Sequence, residues 1–138
     1  MPTQPMPDKL RELVLKPNPA VIATLRRNGA PVTVATWYLY ENERLLVNMD
    51  ESRKRLDHIR RDPRVSLTVL SAESWYQHLS FQGRVVDLQP DVDLTDIDRL
   101  AHHYTGAAYR IRDRARFSAW IEIEQWHAWS VTWPDQQK

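Results

Sequence analysis

The sequence predicts a mainly β domain: about six or seven antiparallel strands with two or three short helices, curled into a closed or nearly closed barrel. Three observations carry this expectation. Short apolar or alternating runs recur along most of the chain, hairpin turn signals separate several of them, and helical spacing is confined to short stretches. The elements then follow in order. Asp8–Leu15 reads as a short amphipathic helix through Leu10, Leu13 and Val14, ended by Lys16-Pro17. Ala20–Arg26 reads as a strand, Asn28-Gly29 as a hairpin turn, and Pro31–Tyr40 as the partner strand. Glu41–Arg44 turns the chain into the strand Leu45–Met49. A helix over about Arg53–Arg61 leads through Asp62-Pro63 into the strand Arg64–Leu70. Leu79–Leu88 is a long strand in which Gly83 marks a bulge or a close backbone approach.

A further helix, opened by Asp93 or Thr95, carries Leu94, Ile97, Leu100, Ala101 and Tyr104 as its apolar stripe and stops at Gly106. Arg116–Ile123 then alternates, with Phe117, Ala119, Ile121 and Ile123 opposite Arg116, Ser118, Trp120 and Glu122. Gln125–Trp133 is the last strand.

Composition narrows the function classes. The 138 residues suit one domain over 1–138, with 1–18 as an N-terminal helix and lead-in. With no cysteine, disulfides, thiolate nucleophiles and cysteine metal sites are excluded. A net charge of +1 exerts no general pull on nucleic acid or membrane. No apolar run approaches the roughly 20 residues that span a bilayer. MPTQPMPDKL lacks the basic start and apolar core of a signal peptide, so the expected location is cytoplasmic.

The chemistry is concentrated between Leu45 and Leu70. A strand ends at a turn over Asp50–Ser52, and three cations, Arg53, Lys54 and Arg55, open the next helix. Cations in a first helical turn oppose the helix dipole, so helix stability alone would favour acids there. An anion at that end, such as a phosphate, offsets the cost; a solvated basic face is the alternative.

Other motifs point elsewhere only weakly. His58, His78, His102, His103 and His127 form no metal-ligand pattern, so no metal site is expected. No G-x-S-x-G elbow frames a nucleophile, and three glycines cannot build a dinucleotide fingerprint. Arg110, Arg112, Arg114 and Arg116 read either as a solvated edge that discourages strand pairing or as a basic rim for an acidic cofactor tail. Trp37 and Tyr38 fall on opposite faces of one strand, so one of the two lines a groove or interface. Trp75 and Tyr76 lie on a connection, where binding residues gather. Four of the six tryptophans, Trp120, Trp126, Trp129 and Trp133, crowd the last 19 residues, more than a small core needs. A dimer interface is the favoured reading and an aromatic substrate pocket the second.

The element order with VTVATWYLY, RLLVNM, the basic helix ending RRDPRVSL, and LSFQGRVVDL resembles the pyridoxamine-phosphate-oxidase-like split barrels that bind FMN. More narrowly, it resembles their branch of flavin/deazaflavin oxidoreductases that use coenzyme F420. The resemblance covers roughly Pro19 to Trp133. It implies a homodimeric split barrel of six or seven strands, with the flavin-type ring in a groove between subunits.

Ser52-Arg53-Lys54 matches that family's S-R-K triplet by letter. Counting back from Asp62-Pro63-Arg64 without a gap puts the phosphate pair on Lys54 and Arg55 instead. The ungapped register is preferred, because an inserted residue would turn the helix face by about 100° and separate Leu56 from Ile59. The implied cofactor-binding residues are Pro31, Val32, Thr33, Val34, Val47, Asn48, Met49, Ser52, Arg53, Lys54 and Arg55. Met49 replaces a threonine frequent in the family, which removes one polar contact. Trp37, Trp75, Tyr76 and His78 are the substrate-binding candidates, and Tyr38, His78 or water the proton donors.

The chain has no arginine after Arg116, where true pyridoxamine-phosphate oxidases grip their substrate phosphate, which argues against vitamin B6 phosphate as substrate. The expected activity is hydride transfer between coenzyme F420 and a flat conjugated small molecule. Alternatives are an FMN-dependent oxidase or reductase, or a non-catalytic flavin- or haem-binding protein.

Overall fold

The computed structural model describes residues 5–131. Seven strands form one antiparallel sheet: β1 (Ala20–Leu25), β2 (Pro31–Thr36), β3 (Leu39–Glu41), β4 (Arg44–Asp50), β5 (Arg64–Leu70), β6 (His78–Pro90) and β7 (Arg116–Trp129). Three helices accompany them, α1 (Asp8–Val14), α2 (Lys54–Arg61) and α3 (Thr95–Thr105). The strand order is β2-β1-β5-β6-β7-β4-β3, so β2 and β3 are the two edges. Yet only Trp37 and Tyr38 separate the end of β2 from the start of β3. Two residues span roughly 10 Å at most, so the sheet must curl until its edges nearly meet. The result is a barrel left open along one seam.

The expected strand Pro31–Tyr40 is therefore two strands, broken where the chain crosses that seam. The expected strands Arg116–Ile123 and Gln125–Trp133 are instead one, β7, which ends at Trp129. Trp133 lies outside the described residues. The turn into β4 uses Asn42 and Glu43 at φ 54° and 61°, the left-handed pair that a tight hairpin requires.

The interior is filled from alternate positions. Leu45, Val47 and Met49 of β4 join Ile22, Leu67, Val69, Leu79, Phe81, Ala119 and Ile121 in one core. Leu56 and Ile59 of α2 enter the same core, as their spacing predicts, and Leu10, Leu13 and Val14 bring α1 into it. Tyr38 is fully buried, its hydroxyl donating to the Val14 carbonyl at 2.7 Å and accepting from Asn18 Nδ2 at 3.1 Å. Burial raises the Tyr38 phenol well above its ordinary range.

Gly83 is the predicted close approach. It sits at a register shift where β7 skips a residue, Gln82 pairing with Gln125 and Gly83 with Ile123. A Cβ there would lie 2.0 Å from the Glu122 carbonyl oxygen.

Strand β4 is buried on both sides. Leu46, Asn48 and Asp50 alternate with the core residues Leu45, Val47 and Met49, and Asn48 bonds Asp91 just before α3. Asp91 caps that helix: its carboxylate accepts from the Asp96 amide at 3.1 Å and the Ile97 amide at 2.9 Å. Neither Asp93 nor Thr95 does so, because Leu94 at φ 58° turns the chain and brings the earlier acid over the first turn.

Candidate functional site

A cavity of about 630 Å³ lies between the strand face carrying Asn48, the crossing at Trp37, α3, and the start of α2. Its aromatic wall is Trp37, stacked on Tyr104 with ring centroids 5.3 Å apart and planes 11° apart, and met edge-on by Tyr109 at 6.1 Å. Each ring is fixed. Tyr104 donates its hydroxyl to the Asn18 carbonyl at 2.6 Å, and burial pushes its phenol up to about 12. Tyr109 is held through its amide, which donates to Asp98 Oδ1 at 3.0 Å, while Arg112 grips the same carboxylate at 2.9 and 3.1 Å. Pro17, Pro19, Ala20, Ala35, Thr36, Ala72, Ile97 and Leu100 complete the less polar lining.

The polar lining is Asn48, Arg53, Arg55 and Arg116. Among the described lining residues there is no aspartate and no glutamate. The Arg55 guanidinium makes no hydrogen bond with any described residue, and its Nε is buried without a partner. Burial lowers the Arg55 pKa, the neighbouring Arg53 and Arg116 charges lower it further, and Asp50 opposes them. Arginine nevertheless stays protonated in this range, so the charge persists at the cavity, where a bound anion would complement it.

Asp50 organises the turn that presents these cations. It is buried and accepts from the Ser52 amide at 2.9 Å and from the Ser52 hydroxyl, while Arg53 Nε lies 3.4 Å from its other oxygen. Its own burial raises its pKa, but the Ser52 hydrogen bonds and the Arg53 and Arg116 charges prevail, leaving the carboxyl below its usual value.

The cavity thus has a flat aromatic wall and a group of guanidinium ions with no carboxylate in the lining. That donor set fits a planar ring carrying a phosphate.

The model of the pyridoxamine 5'-phosphate oxidase family matches residues 6–130. The chain belongs to that family. Its members bind a flavin, and membership supports an oxidoreductase of the flavin type. No curated protein is significantly similar to it in sequence. Among solved structures, it resembles an F420 reductase at 23% identity and a TM-score of 0.79, over 85% of this chain and 94% of the other. It also resembles a conserved hypothetical protein from Mycobacterium tuberculosis, at 18% identity and a TM-score of 0.69, over 92% and 86% of the two chains. A third is General Stress Protein 26 from Bacillus anthracis, at 14% identity and a TM-score of 0.65, over 91% and 94%. At such identities the likeness speaks for the fold alone.

Within this family fold, the residues expected at the site divide. Arg53, Arg55, Asn48 and Trp37 come together at the cavity; Lys54 does not line it. Of the three cations at the helix start, Arg53 and Arg55 thus face this cavity. Arg53 still has extended backbone, φ −76° and ψ 130°, and the helix begins only at Lys54. Ser52 is spent on Asp50.

Val47 and Met49 turn their side chains into the core, so the absence of a threonine at 49 removes nothing from the cavity. On β2 the cavity takes Ala35 and Thr36, whereas Pro31, Val32, Thr33 and Val34 lie farther along the edge strand and are not in the lining. Trp75, Tyr76 and His78 also lie off it. Trp75 and Tyr76 stack on each other at 4.3 Å, and His78 stacks on Trp129 at 5.7 Å. Tyr38 is sealed in the core and cannot hand a proton to the cavity.

The arginine series splits. Arg112 and Arg114 pair with Asp98 and Asp113, and Arg110 lines a neighbouring cavity of about 460 Å³ behind Trp37 and Tyr109. Arg116 enters the main cavity, a site role that its place in an alternating strand does not reveal. Among the described residues no group of three histidines or acids could hold a metal, and no helix is long and apolar enough to cross a membrane.

Proposed function

We propose that the chain binds coenzyme F420 in this cavity and transfers hydride between its deazaflavin ring and a flat conjugated small molecule. The observation that carries the reading is the lining itself, an aromatic wall and three arginines without a carboxylate. Arg53 and Arg55 would hold the cofactor phosphate, with Trp37 beside the ring. When bound, the deazaflavin supplies the hydride chemistry. The chain's residues bind, orient and exclude water; Tyr104 keeps its proton, fixed on the Asn18 carbonyl. With neither a histidine nor a carboxylic acid in the lining, water or Tyr109 is left to serve as proton donor.

F420 is preferred to FMN because the F420 reductase likeness covers most of both chains, and because Arg110, next to the aromatic wall, suits an acidic tail. Fluorescence titration should show tighter binding of F420 than of FMN, with the difference shrinking in salt as the screening length falls to roughly 3 Å at 1 M. Tighter binding of FMN at every ionic strength would make the chain an FMN enzyme. Multiple turnovers of a reducible substrate separate an enzyme from a carrier.

The proposal includes a homodimer. Edge strand β2 exposes Val34, and Trp129, Trp75 and Tyr76 are each more than half exposed. Sedimentation should give a dimer at micromolar concentration. A monomer that binds the cofactor just as tightly would refute it.

A further inference from the structure

Asn48 lines the cavity, yet its side chain has no donor left for a ligand. Both Nδ2 protons are spent, on Asp91 Oδ2 at 3.1 Å and on Ser118 Oγ at 3.2 Å. Oδ1 accepts from Arg116 Nε at 2.8 Å. This orientation follows from chemistry: the amide nitrogen must face the Asp91 carboxylate, so the oxygen must face the arginine. Ser118 gives its own proton to Asp96 Oδ2 at 2.7 Å and so is an acceptor toward Asn48. An amide oxygen cannot attract an anion. Whatever Asn48 does for an anionic ligand, it does through Arg116.

Arg116 is 8% exposed. Besides the bond from Nε, its guanidinium lies 4.8 Å over the centre of the Tyr109 ring. Neither Nη group hydrogen-bonds any described residue. The guanidinium is thus held at one edge and one face, with its remaining donors free beside Arg53 and Arg55 in the same cavity. Three cations gathered around the single carboxylate of Asp50 keep a surplus of positive charge and free donors, which suits an anion with several acceptor oxygens.

We propose that Arg116 is a third anion-holding side chain of the cavity, and that Asn48, locked by Asp91 at the head of α3, is the positioning residue that aims it. The inference rests on the reading that the cavity takes a phosphorylated flavin-type cofactor. It makes the cap of α3 and the anion site one hydrogen-bonded unit, since Asp91 bonds both the helix amides and Asn48.

The test is the preference for a phosphorylated ligand over its phosphate-free counterpart: FMN against riboflavin, and F420 against the bare ribityl deazaflavin. Arg116→Ala should lower that preference about tenfold or more while binding of the phosphate-free ligand changes little. Asn48→Ala should lower it by a smaller factor in the same direction. The double variant should lose no more than Arg116→Ala alone, because one residue acts through the other. Arg116→Lys keeps the charge without the Nε bond, so adding Asn48→Ala to it should change nothing; this arm stays informative if the alanine variants unfold.

A purely structural Asn48 would weaken both ligands of a pair alike. Full additivity of Asn48→Ala with Arg116→Ala would remove the positioning role. An unchanged preference in Arg116→Ala, with the preference abolished in Arg55→Ala, would overturn the inference and leave the reading of the cavity standing. No phosphate preference in the unaltered protein would overturn both.

Discussion

Replacing Arg55 with alanine should weaken binding of F420 or FMN by roughly tenfold to a hundredfold, with little change in folding stability. The loss is that of a charge-assisted hydrogen bond, about 1.5–3 kcal/mol. The Arg55 guanidinium has no hydrogen-bond partner to lose among the described residues, and its partly buried charge is opposed by Arg53 and Arg116 and favoured by Asp50, so its removal should cost the fold little. Lys54→Ala, one residue away but outside the cavity lining, should have a small effect. Arg60→Ala and Arg61→Ala, at the far end of α2, should leave binding nearly intact. Titration of these variants by fluorescence decides the matter. Similar small losses at all of them would mean that the run is a solvated basic face and nothing more.

Gly83→Ala should be the most damaging of the glycine substitutions to the fold. The new Cβ would meet a backbone carbonyl at 2.0 Å, and neither strand can yield without disturbing the longest pairing in the sheet, β6 with β7. Overpacking of this kind costs about 1–3 kcal/mol, and a rigid backbone neighbour places it at the upper end. Gly29→Ala is the contrast: φ is +86° but the space around it is open, so only the left-handed strain of about 1–2 kcal/mol remains. Denaturant midpoints at unchanged slope measure both. A Gly83→Ala variant within about 0.5 kcal/mol of the original would contradict the close approach.

Much of the fold is legible in the chain's residues wherever the signal is local. Period-2 and helical spacing place nearly every element, and Leu56 with Ile59 fixes the inward face of α2. Gly83 stands out as a lone glycine within a strand pattern. The aromatic pair at 37 and 38 divides as expected, one buried and one at the cavity, although both sit at the crossing between β2 and β3 and not within one strand.

The features that local patterns miss depend on junctions and on distant pairing. Arg53 precedes the helix rather than belonging to it, so helical counting favours Lys54 over its neighbour. Arg116 reaches the cavity because β7 pairs with β4 in a register that sets it opposite Asp50 and Ser118 opposite Asn48, across more than sixty residues of chain. No local pattern encodes that register. Trp75 and Tyr76 are expected at the site because they lie on a connection, but they stack on each other outside the lining to which Ala72 belongs, and His78 opens β6 stacked on Trp129.

A crystal structure of the protein with F420 decides whether this cavity binds a phosphorylated flavin-type cofactor by its arginines, with the ring at the aromatic wall. The phosphate is expected within hydrogen-bond distance of Arg53 and Arg55, and the ring beside Trp37. A cofactor bound elsewhere, or one whose phosphate faces solvent while these arginines stay unpartnered, would rule that binding mode out.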